Sequence, residues 1–268
     1  RKAKPSTNIC RRRIELKPIN FSCTKTNVLY YINQKEAFMV FHYLSLILAG
    51  ILSFADYVTE HILSEKLRKN AKLISFSAGV AISYIILNLF PEISTFALID
   101  GKRIFLYALL GFVSLNLIEQ YIYKGVGKLK SPFKYHKNIH VTYFFIYNFF
   151  IGAVLTVFAS KGLVATLLFF VPFLFYIIAE ILPQEFEFKS STFKVFYSMA
   201  PFFGAIVGIN YIEFTASVFG ELISFVTGTL LYIVIRESLP SDKAEKPLYF
   251  LIGVLFYALI IFMSWNLI

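Results

Sequence analysis

Cysteine, histidine and charge are all scarce in this chain. Cys10 and Cys23 are its two cysteines, both in the N-terminal tail. No Cys-x-x-Cys and no His/Cys metal spacing is present, which removes a thiolate metal site and a dithiol redox motif. A disulfide between the two requires the tail to lie outside the cytosol; two free thiols are the equally open reading. Charged residues make up 16% of the chain, where soluble domains hold about a quarter. There is no Gly-x-Ser-x-Gly, no phosphate loop, no His-Glu-x-x-His and no intramembrane His/Asp pair, so no motif argues for an enzyme. A signal-peptide pattern is absent too.

Apolar residues fill the space these leave. They form 57% of the 268 residues, with 31 Phe and a mean hydropathy of +0.67. One membrane-spanning helix needs about 20 apolar residues, so the chain has room for eight and little else. The net charge of +10 lies in loops between apolar runs, where it orients a membrane protein and meets anionic lipid. No zinc finger, RNA-binding signature or basic helix accompanies it, so nucleic acid is not expected as a partner. The start at Arg1 reads as a processed or truncated product.

The expected fold class is all-α, a polytopic bundle of eight transmembrane helices over residues 37–268. Residues 1–36 form a polar, basic tail on which no structure is expected. The spans are predicted at Ala37–Val58, Ala71–Phe90, Arg103–Tyr123, His140–Ser160, Gly162–Leu182, Thr192–Tyr211, Glu213–Ile235 and Pro247–Ile268. Basic residues concentrate after the odd spans, as with Lys66, Arg68 and Lys69, or Lys124, Lys128, Lys130, Lys134 and Lys137. Loops after the even spans hold only Lys102, Arg103 and Lys161. The positive-inside bias therefore puts both termini outside the cytosol. Two small-residue patterns, Gly204–Gly208 and Ser75–Ala78–Gly79–Ala81, suit close helix packing.

A carboxylate at membrane depth is costly and usually faces the bundle interior. The polar residues at such depth are Asn88, Asn116, Glu119, Asn148, Glu180 and Gln184. In "AEILPQ", Pro183 has no N–H, which leaves the Ala179 carbonyl without its helical donor. Glu180 and Gln184 are four apart and share a helix face. Together they offer a carboxylate, an amide and a loose carbonyl within one turn, an arrangement that suits ion coordination. The equally open reading ends the span here, with Glu180 at the membrane surface. Asn148 stands mid-span, where a lone Asn commonly bonds a neighbouring helix. Asn88 is read as a packing residue, and Glu119 as reaching the membrane interface. His136 and His140 share a face without a third ligand beside them and are read as interfacial. Glu237, after Arg236, is placed at the interface too.

The order of these features resembles the ZIP family of divalent-metal transporters. "LNLFPE" is similar to that family's Leu-His-Leu-Leu-Pro-Glu, with Asn88 in place of His and with Pro91 and Glu92 matching. Gly111, Phe112 and Glu119 resemble the third-span pattern. "YNFFIG" fits His-Asn-x-x-Asp/Glu-Gly, with Tyr147 for His, Ile151 for the acid, and Asn148 and Gly152 matching. "EILPQ" fits His-Glu-x-Pro-Glu/His, with Glu180, Ile181 and Gln184 at the ligand positions and Pro183 matching. "APFFGA" resembles Glu-Pro-Leu-Gly-Ala, with Ala200 for the Glu.

The resemblance implies eight spans with both termini outside, and a metal site between the fourth and fifth helices. The corresponding positions are Tyr147, Asn148, Glu180 and Gln184. It implies an integral protein of the cell membrane with a divalent, zinc-like cation as substrate and no permanently bound cofactor. The alternative is a transport-inactive relative that serves as a binding or regulatory partner. Expected partners are the lipid bilayer and a metal ion, with a homodimer left open.

Overall fold

The computed structural model describes residues 42–59, 70–128, 133–179, 191–210, 216–238 and 246–265. All of them belong to one unit, Phe38–Ile268, and the tail at 1–36 lies outside them. Among the described residues every regular element is helical. In chain order these are α1 (His42–Thr59), α2 (Ala71–Tyr84), a π-helical turn (Ile85–Leu89), α3 (Phe90–Asp100), α4 (Ile104–Lys128) and α5 (Phe133–Ser160). There follow α6 (Leu163–Ala179), α7 (Ser191–Ser198), α8 (Ala200–Asn210), α9 (Ala216–Ser238) and α10 (Pro247–Trp265). Five described stretches are long and apolar enough to cross a membrane: His42–Thr59, Ala71–Asp100, Val141–Ser160, Val218–Arg236 and Pro247–Trp265. Ile104–Gln120, Leu163–Ile178 and Ala200–Asn210 are shorter apolar stretches. Asn70 starts α2 by accepting the Lys72 N–H on its side chain at 3.1 Å. Gly101, at φ 76°, closes α3, and Gly162, at φ 115°, turns the chain from α5 into α6.

Three prolines interrupt the backbone ladder, and each interruption is met differently. Pro91 was expected to end the second span, but the helix runs on to Asp100. The ladder widens just before it, where the Phe90 N–H reaches the Ile85 carbonyl five residues back. A π turn gives room to a proline ring that would otherwise strike the carbonyl four residues earlier. Pro172 lies inside α6 and deprives the Leu168 carbonyl of its donor. The Tyr257 hydroxyl of α10 supplies the missing bond at 2.7 Å. Pro201 breaks the predicted sixth span in two. Helix α7 stops at Ser198 and α8 starts at Ala200, and the Phe202 N–H donates to the Ser53 hydroxyl of α1 at 3.2 Å.

Helix pairing rests on glycine. A Cβ on Gly79 would collide with the Phe250 carbonyl, and one on Gly253 with the Phe76 carbonyl, so α2 and α10 meet backbone to backbone. Gly111 and Gly228 do the same for α4 and α9, against Phe225 and Ala108. Gly152 and Gly204 do it for α5 and α8, against Pro201 and Phe149. Every pair is parallel. Along α2 and α10, Lys72 lies over the Tyr249 ring, Ser83 donates to the Val254 carbonyl and Tyr84 meets Tyr257. Along α4 and α9, Gly111 touches Phe225 while Glu119 pairs with Arg236. Along α5 and α8, Phe149 meets Gly204 and Thr156 meets Gly208.

Polar side chains then lock the pairs. The Tyr143 hydroxyl of α5 sits 2.9 Å from Thr229 Oγ1 of α9 and 3.1 Å from Ser114 Oγ of α4. Glu119 does not reach the open interface as the sequence suggested. It is 4% exposed, accepts the Tyr232 hydroxyl at 2.9 Å and pairs with Arg236. A buried carboxylate requires such partners, and the parallel run of α4 and α9 supplies them. Lys161 pairs with Glu92 and lies 5.3–5.8 Å from the ring centres of Phe96, Phe158 and Phe219.

Gly152→Val and Gly228→Val should each destabilise the protein by about 1–3 kcal/mol or more, because backbone cannot yield to a side chain. Gly50→Ala, with nothing within 4 Å of the new methyl, is the neutral control. Thermal midpoints in detergent measure both, and equal midpoints would contradict the backbone contacts. Arg236→Met should cost about 1–3 kcal/mol, less than a fully buried pair because Arg236 is partly exposed. In a double-mutant cycle, its coupling with Glu119→Gln reads the pair directly.

Candidate functional site

Asn148 lies in the middle of α5 and is 1% exposed. Its amide oxygen has no donor among the described residues. The bond to a neighbouring helix that a lone intramembrane Asn usually makes is therefore missing in that set. Asn148 and Gly152 are one turn apart on the same face, and Gly152 is where α5 touches Pro201. Tyr147 is fully buried, and its ring meets that of Tyr176 on α6 edge-on at 5.9 Å. Tyr176 in turn meets Phe173, whose ring lies tilted against that of Phe169 with centres 4.4 Å apart. The α5–α6 junction is thus aromatic at this level, with one unsatisfied amide beside it.

Glu180, Gln184, Ile181 and Pro183 lie outside the described residues. Of the four expected ligand positions the structure therefore describes Tyr147 and Asn148, adjacent on α5. His136 and His140 fall in the part of α5 whose side chains are not described. Among the described residues no group of three or more His, Cys, Asp or Glu is placed to hold a metal ion.

A second polar site was not foreseen. Asp56 falls inside the predicted span Ala37–Val58 and was not among the polar residues expected at membrane depth. It is 5% exposed within α1. The Ser198 hydroxyl, at the end of α7, adjoins its carboxylate. No hydrogen bond of normal geometry joins them, and Asp56 Oδ2 and Ser198 Oγ are both without a partner among the described residues. Ser53, one turn before Asp56, holds the Phe202 N–H. An acid three residues after a serine, at the apolar end of a span, was the available signal. Its meaning depended on a helix break almost 150 residues further along the chain.

A scan against protein-family models finds no match, and no curated protein matches the chain.

A buried amide oxygen without a donor costs about 1–3 kcal/mol. Asn148→Leu should therefore raise the thermal midpoint of the detergent-purified protein, by about 1 kcal/mol in stability. A lowered midpoint would mean that the amide holds two helices together.

Proposed function

We propose that the chain is an integral membrane carrier of the ZIP type. It has eight crossings and moves a divalent, zinc-like cation across the cell membrane along a path bordered by α5 and α6. The crossings are α1, α2 with α3, α4, α5, α6, α7 with α8, α9 and α10. In a chain that alternates direction, the second and eighth crossings run the same way, as do the third and seventh and the fourth and sixth. The three parallel glycine pairs obey this parity. An even count puts both termini on one side, and the basic loops put that side outside the cytosol. Exposed apolar rows on α4 (Leu106, Leu110, Leu117) and α10 (Leu251, Leu255, Phe262) suit contact with lipid. A homodimer would cover the same rows.

The observation that carries the transport reading is the unsatisfied Asn148 oxygen at mid-span. A buried polar atom kept without a partner, at a cost in stability, suits a group whose partner is the cargo. Tyr147, Glu180 and Gln184 complete the proposed oxygen-lined set. Zinc prefers imidazole and thiolate, and one carboxylate leaves a divalent ion half-compensated, so binding here is weak and release is easy. Purified protein in liposomes loaded with a metal-sensitive dye should show divalent influx, cut at least about tenfold by Asn148→Ala and by Glu180→Ala. The aromatic packing of Tyr147, Tyr176 and Phe173 favours the second reading, a transport-inactive relative acting as a binding or regulatory partner. Influx equal to that of empty liposomes would establish that reading in place of the first.

A further inference from the structure

Asp56 is set apart from three other acids of the described helices by having no cation. Lys161 holds Glu92, Arg103 lies 3.7 Å from Asp100, and Arg236 holds Glu119. No cationic side chain pairs with Asp56 among the described residues, although only 5% of it is exposed. A buried carboxyl without a counter-charge either keeps its proton or takes up a cation, because leaving it ionised and alone is costly.

The surroundings are rich in oxygen. Asp56 Oδ2 and Ser198 Oγ have no partner. Ser53 Oγ accepts the Phe202 N–H and retains a lone pair. Ser53 and Ser198 also line a mostly apolar cleft of about 290 Å³, with Phe54, Tyr57, Val195 and Phe202, and Asp56 lies behind this lining rather than in it. The interruption is local, since the Met199 N–H still bonds the Val195 carbonyl and the Phe203 N–H the Met199 carbonyl.

We propose that Asp56, Ser198 and Ser53, at the break between α7 and α8, form a binding site for a small monovalent metal cation of the sodium class. One carboxylate neutralises one positive charge, so a divalent ion would remain half-compensated in a buried place. A proton on Asp56 would be shared with the Ser198 hydroxyl alone and leave Ser53 outside the set. A hard alkali cation draws on all three side chains at once. The site lies on α1, α7 and α8, so it stands or falls separately from divalent transport at α5 and α6.

The test uses the full chain in detergent. Its thermal midpoint is followed as sodium chloride replaces choline chloride at constant ionic strength. Sodium should raise the midpoint saturably by about 3–6 °C. Asp56→Asn should abolish the rise, and Ser198→Ala should move half-saturation to about tenfold higher sodium. Radioactive sodium binding to the unaltered protein, compared with Ser198→Ala, serves if Asp56→Asn does not fold. Equal midpoints in sodium and choline would overturn the proposal, as would a sodium effect that survives both substitutions. A rise reproduced by lowering pH in choline alone, and untouched by Ser198→Ala, would make the occupant a proton and also overturn it. Sodium binding that persists in a protein without divalent influx would sink the carrier reading and leave this one intact.

Discussion

Between lipid-bathed helices there is no gain from hiding apolar surface, because lipid tails are as apolar as leucine. What remains is close contact, and contact is closest where glycine lets one backbone lie on another. Three helix pairs use this device from both sides: Gly79 with Gly253, Gly111 with Gly228, and Gly152 with Gly204. Other features of the fold follow from those approaches. The α4–α9 contact brings Glu119 to Tyr232 and Arg236. The α2–α10 contact brings Ser83 to the Val254 carbonyl and Tyr84 to Tyr257. The α5–α8 contact sets Gly152 against Pro201, and so fixes the helix break relative to the face that carries Asn148.

The prolines show what a freed carbonyl becomes inside such a bundle. One chemical defect, a missing N–H, has three outcomes. At Pro91 the ladder widens by a residue. At Pro172 a tyrosine from another helix fills the gap. At Pro201 the helix splits, and a serine from α1 takes the next N–H. A loose carbonyl is therefore not an ion site in itself, since the protein can satisfy it with its own donors. The Pro201 break is distinguished by the unpaired carboxylate beside it. The same criterion applies to Pro183: an ion site there requires Glu180 to be turned inward and unpaired.

Much of the likeness to the ZIP pattern falls on residues whose role here is packing. Gly111, Gly152 and Gly204 are at backbone contacts, and Pro201 lies under Gly152. Agreement at such positions meets a general demand of close helix packing and does not by itself carry a family's chemistry. The chemistry depends on positions where this chain departs from the pattern, such as Tyr147 in place of His. Asn148 keeps the expected residue, and burial gives it a meaning that identity alone could not.

Hydropathy made the all-helical character, with runs long and apolar enough to cross a membrane, legible without coordinates, because a long apolar run has few stable alternatives to a helix. It also located Asn148 and the turn at Ser160–Gly162, and it singled out Gly79 and Gly204. It failed wherever the outcome depended on a distant partner. Pro91 looked like a terminus until the π turn accommodated it. Glu119 looked interfacial until Arg236 was found beside it, and Asp56 drew no notice inside the predicted first span until Ser198 was found beside it. Periodicity and propensity are local properties of the chain, whereas the state of a buried polar group is decided by whatever packs against it from elsewhere in the chain.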